Sequence, residues 1–206
     1  YFRKKFGRYI FTNFLIHYFQ KKNLENLTEN LFKNELKTFV KYLPANIENI
    51  VDIGCGLGIL HIYINEMYQN KPSFFLLDKN TIDTKIKYGF SENYESYNVL
   101  NETKNILLNN GLLNEQIHLI NVDKEIKIDN KIDLLISLKS MGYHYPIDNY
   151  IDLLKTMCNN KTIFIFDVFA DRYNVDLIKK NFKFVEVIYE ESSLHSLKRL
   201  YCKGLL

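Results

Sequence analysis

Val51-Asp52-Ile53-Gly54-Cys55-Gly56-Leu57-Gly58 decides how the chain is read: an apolar run enters three alternating glycines, where main-chain amides can approach a ligand that side chains would block. Ile47 to Ile53 reads as a buried strand and Ile59 through Met67 as the helix that follows, so the glycines occupy a strand-to-helix turn. In open α/β sheets such a turn lies at the carboxyl ends of the strands, and the following helix adds unpaired N–H groups and the positive end of its dipole. The next apolar run, Ser73-Phe74-Phe75-Leu76-Leu77, ends in Asp78, about 20 residues past the last glycine, where an acid bonds ribose hydroxyls. Turn and acid together indicate a nucleotide-type cofactor site, which a turn that only packs a helix on a sheet would not require.

The glycine spacing separates two nucleotide readings. A dinucleotide fingerprint has its third glycine three places after the second, and Ile59 stands there, which weakens an NAD-dependent oxidoreductase. A Gly-x-Gly-x-Gly turn preceded by Asp52 resembles motif I of the class I S-adenosylmethionine-dependent methyltransferases, and Asp78 falls on that family's ribose-binding acid. The resemblance runs from about Ile47 onward. It implies an α/β fold, a Rossmann-like doubly wound sheet of seven strands in the order 3-2-1-4-5-7-6 with the last strand antiparallel. It also implies an N-terminal helical cap over residues 1–44 ahead of a cofactor-binding domain over 45–206, with Arg8 and Tyr9 as lid contacts. S-adenosyl-L-methionine is the implied cofactor and S-adenosyl-L-homocysteine its product. Asp52, Gly54, Cys55, Gly56, Gly58, Asp78 and Lys79 are the implied residues around it, with Val122 and Asp123 facing the adenine and Ser137 on the same side.

Bulk properties agree with one globular unit. The 206 residues suffice for a substantial core, and 47% of them are hydrophobic. Three cysteines match neither a disulfide framework nor a zinc ligand set, which suits a reducing cytoplasm. No apolar run approaches the roughly 18 residues of a membrane span. A net charge of +3 is too small to argue for nucleic acid. The basic residues Arg3, Lys4, Lys5, Arg8, Lys21 and Lys22 read as a solvated helix face more than as an anion-attracting one.

Before the sheet, Phe6, Tyr9, Ile10, Phe14, Leu15 and Tyr18 form one helical pattern and Leu27, Leu31, Leu36, Phe39 and Val40 a second, ended by Pro44. The polar stretch from Lys79 to Ser96 reads as a loop beside the cofactor. Asn98 to Asn109 is helical in pattern, Ile117 to Val122 a strand closed by Asp123, Ile132 to Ser137 a fourth strand, and Ile147 to Met157 a helix. Lys161 to Phe169 is the next strand and Tyr173 to Lys180 a helix. Phe182 to Tyr189 and Leu197 to Leu205 follow as two strands without a helix between them, an antiparallel hairpin.

The loop after the fourth strand, Leu138 to Pro146, shares the carboxyl edge with the glycine turn and offers Lys139, Ser140, Tyr143, His144 and Tyr145. An imidazole titrating near 6.5 can take a proton from a sugar hydroxyl as the methyl carbon is attacked, so His144 is the candidate base. Tyr145 and Tyr143 would wall an acceptor pocket and Lys139 would hold a phosphate. A purely structural turn is the competing reading of the same residues. Ser137 to Pro146 also resembles a Ser-x-x-Ser-x-Gly-x-His-Tyr-Pro pattern of bacterial sugar O-methyltransferases from surface-polysaccharide clusters, which implies a sugar or sugar-nucleotide acceptor.

An Asn/Asp-Pro-Pro-aromatic loop of the kind that holds a planar nitrogen for methylation is absent, so base and glutamine methylation are disfavoured. Asp167, at a strand end, is read as orienting His144, binding a hydroxyl or simply closing the strand. His61 and His118 read as packed histidines, and no residue set has a metal spacing. An anionic phosphoryl acceptor and a non-catalytic module that only binds the cofactor remain as alternatives.

Overall fold

Apolar residues on both faces of the same strand are what a sheet covered by helices on each side requires. In the computed structural model, which describes residues 21–80, 98–143, 146–169, 175–191 and 196–206, seven strands form one sheet. They are β1 (Asn49–Ile53), β2 (Ser73–Asp78), β3 (Ile117–Asn121), β4 (Leu134–Ser137), β5 (Ile163–Phe169), β6 (Phe182–Glu191) and β7 (Leu197–Leu205). Their order is β3-β2-β1-β4-β5-β7-β6, the one the family resemblance implies. β1 to β5 pair in parallel, whereas β7 runs antiparallel to both β5 and β6.

Side chains alternate between faces along each strand. Val51, Ile53, Phe75, Leu77, Leu135, Phe164, Phe166 and Leu200 share one buried cluster, joined by Leu154 and Met157 of helix α4 (Ile151–Met157). Ile50, Phe74, Leu76, Leu134, Ile136, Ile165 and Tyr201 share the other. That second face is covered by helices α1 (Lys21–Lys37), α2 (Ile59–Met67) and α3 (Leu100–Asn109), through Phe32 and Leu36, Leu60 and Ile64, and Leu107. Asp52, Asp167 and Arg199 fall on the same alternation as this second set, so three charged side chains enter an apolar layer beneath the helices.

Helix α5 (Val175–Ile178) ends two residues before the predicted Lys180, and the predicted start at Tyr173 lies outside the described residues. The predicted helix beginning at Ile147 is split into a 3₁₀ turn, Ile147–Asn149, and α4. In α1 the expected stripe is turned partly outward. Leu27 and Leu31 are 64% and 58% exposed, because Phe32 and Leu36 take the inward positions. The first aromatic pattern with Arg8 and Tyr9, most of the Lys79 to Ser96 stretch, and His144 and Tyr145 lie outside the described residues.

Candidate functional site

Gly54, Gly56 and Gly58 have φ of +79°, +53° and +70°, left-handed values that disfavour any residue with a Cβ. The amides of Gly54 and Cys55 both donate to the Leu77 carbonyl, at 2.7 and 3.2 Å, which ties the turn to the end of β2. A Cβ on Gly54 would lie 2.1 Å from Ser140 Oγ, and one on Gly58 would lie 3.0 Å from Thr103 Cγ2. A Cβ on Gly56 would meet nothing within 4 Å. The turn is therefore crowded at its two ends and open at its middle.

The middle glycine is pinned from both sides of its peptide. Its N–H donates to Asp78 Oδ2 at 2.8 Å, and its carbonyl accepts from Asn98 Nδ2 and Thr103 Oγ1, each at 2.8 Å. Asn98 also donates to Asp78 Oδ2 at 3.2 Å, and the Lys79 amide donates to Oδ1 at 2.8 Å. Burial pushes the Asp78 carboxyl above its ordinary range, against the lowering effect of the Gly56, Lys79 and Asn98 hydrogen bonds. Sequence reasoning missed Asn98 and Thr103. Their signal, two polar residues at the start of a helix otherwise read for its apolar face, becomes legible only once that helix is placed over the turn. Thr103→Val, which keeps volume but deletes one donor to a half-buried carbonyl, is expected to lower stability by about 1 kcal/mol in thermal or denaturant melts.

Cys55 sits inside the turn as a structural thiol. Burial raises its pKa well above the usual value, and the Asp52 and Asp78 charges push it in the same direction, so it is a poor nucleophile. Val122 lies next to Asp78, its amide donating to the Asp78 carbonyl at 3.1 Å. Asp123 is exposed beyond it, with its amide bonded to Asn121 Oδ1 at 3.0 Å.

The connection after β4 is stitched to its neighbours. Ser137, expected beside the cofactor, has a fully buried side chain whose hydroxyl donates to the Ile53 carbonyl at 2.7 Å and accepts from the Met141 amide at 2.9 Å. It braces β1 against β4 from behind the turn. Ser140 is buried against Gly54, so the glycine turn and the post-β4 connection touch directly. Lys139 is exposed and holds a left-handed backbone, φ +56°, a strained conformation that persists where surrounding bonds fix it. Here the fixing bond is its amide to Asp167 Oδ2 at 3.1 Å. Tyr143 stands edge-on to Phe169, with ring centroids 5.4 Å apart.

Asp167 is committed to a buried cation. Arg199, its cross-strand partner on β7, donates from Nε to Oδ1 at 2.7 Å and from Nη2 to Oδ2 at 2.9 Å. Arg199 also reaches Glu35 Oε1 and Thr38 Oγ1 at the end of α1, and its guanidinium lies 5.5 Å from the Phe39 ring centroid. Burial pushes the Asp167 carboxyl up, and the Arg199 bonds oppose that shift. For Arg199 burial works against the charge, but the bonds and fields of Asp167 and Glu35 prevail and raise its pKa. Both acids therefore hold Arg199 charged, and Asp167 serves to fix the Lys139 turn.

A third buried polar pair underlies the glycine turn. His61, on α2, lies with Nε2 2.8 Å from Asp52 Oδ2. Among the described residues, Asp52 Oδ1 and His61 Nδ1 have no hydrogen-bond partner. Among the described residues no group of three or more His, Cys, Asp or Glu side chains is placed to hold a metal ion. Among them, too, no helix is long and apolar enough to cross a membrane.

An adenosyl donor fits these residues: the turn is open over Gly56, a carboxylate stands at the β2 end, and one buried carboxylate oxygen on the β1 side is unmatched. No family model matches the sequence, and no curated protein does. Solved structures match its shape. The O-MT segment of StiE superimposes with a TM-score of 0.60 at 12% identity, over 90% of this chain and 78% of its own. A candidate O-methyltransferase from Nostoc punctiforme gives 0.55 at 13% identity, over 81% and 55%. The B. subtilis tRNA methyltransferase TrmK gives 0.53 at 18% identity, over 82% and 64%. The chain thus spans between about half and four fifths of the length of these structures. At such identities the likeness is one of architecture, and the architecture of this chain is that of the Rossmann-like methyltransferases.

Proposed function

We propose that the chain is an S-adenosylmethionine-dependent methyltransferase acting on an oxygen of a small polar acceptor, a sugar or sugar nucleotide of surface-polysaccharide assembly. The observation that carries the reading is the Gly56 peptide, held by Asp78 on one side and by Asn98 and Thr103 on the other while its Cα face stays open. Matching solved structures that methylate acceptors as different as tRNA and the ribosomal protein L11 support the methyl-transfer class and leave the acceptor to local residues. The donor, when bound, supplies an electrophilic methyl carbon on a sulfur that is already a good leaving group. What remains for the protein is alignment and exclusion of water, a contribution that can reach about 7–11 kcal/mol. On this reading Asp52, Gly54, Cys55, Gly56, Gly58, Asp78, Lys79, Val122 and Asp123 surround the donor, and Ser137 braces them. Lys139, His144 and Tyr145 serve the acceptor, with His144 accepting the hydroxyl proton.

Calorimetric titration with S-adenosylhomocysteine tests the donor half; absence of heat, together with an empty crevice in soaked crystals, would sink it. Turnover with a panel of nucleotide-linked sugars tests the acceptor half. His144→Ala should lower turnover roughly 10²–10⁴-fold while donor affinity stays unchanged. A small effect on turnover would favour an already ionised phosphoryl oxygen as acceptor, held by the exposed Lys139, which needs a cation more than a base.

Donor affinity should also depend on pH through Asp78. Ribose hydroxyls donate best to the ionised carboxylate, whose proton is bound more tightly here than in an ordinary aspartate. Affinity is therefore expected to be full at neutral pH and to fall, on acidification, from a higher pH than an unperturbed carboxylate would give. Asp78→Asn should bind weakly and show a flat profile across the same range.

A further inference from the structure

A buried carboxylate with one partner is an unfinished arrangement. Asp52 is 5% exposed and His61 is fully buried, yet among the described residues the bond between Asp52 Oδ2 and His61 Nε2 leaves Oδ1 and Nδ1 unmatched. An ionised carboxylate offers about four acceptor sites, and a buried one left without donors carries a desolvation penalty. The glycine turn does not supply the missing donor. Its Gly54 and Cys55 amides go to the Leu77 carbonyl, the Gly56 amide to Asp78, and the Gly58 amide to the Cys55 carbonyl. Around the pair, Ile50, Leu60, Ile64, Phe74 and Leu76 form an apolar cluster, and the His61 ring lies 5.1 Å from that of Phe74. The imidazole is thus fixed by packing on α2, and the carboxylate is fixed by the imidazole.

The placement along the chain assigns the unused oxygen. Asp52 is two residues before Gly54, on the β1 side of the turn, whereas Asp78 closes the turn from β2. If Asp78 takes the ribose, the end of the donor left for Asp52 is the amino-acid end, whose ammonium is its N–H-bearing cation and the natural partner of a spare carboxylate oxygen.

We propose that His61 is a positioning residue of the donor site: by holding Asp52 through Oδ2 it keeps Oδ1 for the ammonium of the bound methyl donor. The inference rests on the donor reading above and adds to it a residue on α2 that touches neither donor nor acceptor. A histidine that merely fills the core would affect all ligands of the site alike. One that acts through Asp52 affects only ligands with the amino-acid end.

The test compares S-adenosylhomocysteine with 5′-methylthioadenosine, which keeps the adenosine and sulfur and lacks the amino-acid end, by calorimetry on the unaltered chain and on His61→Leu, His61→Asn and His61→Gln. Losing one charge-assisted bond should weaken S-adenosylhomocysteine about tenfold to a hundredfold in His61→Leu and in His61→Asn, whose amide is too short to reach Oδ2. 5′-Methylthioadenosine should change by less than about threefold in both. Gln, whose terminal nitrogen sits at the reach of Nε2, should bring S-adenosylhomocysteine back to within about threefold of the unaltered chain. In an Asp52→Asn background, His61→Asn should produce no further selective loss. Equal weakening of both ligands, or weakening of neither, overturns the role of His61 and leaves the donor site standing. An unaltered chain that binds neither ligand overturns the donor reading and this proposal together. Should His61→Leu fail to fold, the Asn and Gln pair decides alone.

Discussion

Gly54→Ala is expected to abolish detectable S-adenosylhomocysteine binding and to lower the thermal midpoint by roughly 5–15 °C. Two penalties act at once. The left-handed φ of +79° costs an alanine about 1–2 kcal/mol, and the new methyl would lie 2.1 Å from Ser140 Oγ and 2.4 Å from Ser140 Cβ. Such overpacking typically adds about 1–3 kcal/mol. Ser140 cannot swing clear, because the atoms in the way begin at its Cβ, so either the turn or the post-β4 connection must move. The second contribution is testable separately: Ser140→Gly in the same chain removes the obstruction and should recover part of the stability while the φ penalty remains. A Gly54→Ala protein that melts like the unaltered one and still binds S-adenosylhomocysteine would show that this contact does not define the site.

Arg199→Met is the second large effect. It leaves Asp167 buried opposite an apolar side chain and deprives Glu35 of its partner; removing one member of a buried ion cluster costs about 3–5 kcal/mol. Arg199→Lys should rescue little, because a single ammonium cannot span both Asp167 oxygens and Glu35 as the planar guanidinium does. The loss should also depend on pH. Without Arg199 the Asp167 carboxyl, already pushed up by burial, rises further, so the folded state binds a proton more tightly than the unfolded chain. Stability then declines as pH rises from the ordinary carboxylate range through that raised value. The variant is therefore weakest at neutral pH and regains part of the loss on acidification. Denaturant melts of both proteins between pH 4.5 and 8 check this; a difference that is constant across the range would mean Asp167 is not the group left stranded.

The glycine turn and the acid at the end of β2 were legible in the sequence because each depends on local pattern: alternation within a strand, glycine spacing, an acid closing an apolar run; the strand order came only with the family resemblance that the turn carries. Partners chosen across the fold left no such mark. Arg199 and Glu35 are 164 residues apart, and Arg199 in an apolar strand signals only that some acid must face it. Asp167 was recognisable as a strand-end acid, but its partner follows from the β5–β7 register, which pairs it with Arg199. Asn98 and Thr103 reach Gly56 from 42 and 47 residues away, through the packing of α3 over the turn. In α1, Leu27 and Leu31 are one turn apart but Leu36 lies about half a turn round from Leu27, so the predicted pattern joined two faces; the inward one carries Phe32 and Leu36, four residues apart.

The tie between Glu35 and Arg199 also sets an order of events during synthesis. At roughly 5–20 residues per second, a ribosome that has made Glu35 needs on the order of ten seconds to reach Arg199. Until then Glu35 of α1 lacks its Arg199 partner and β5 lacks its antiparallel neighbour, so the nascent chain carries two stranded carboxylates. Docking of α1 through this tie is thereby deferred until nearly the last strand has emerged.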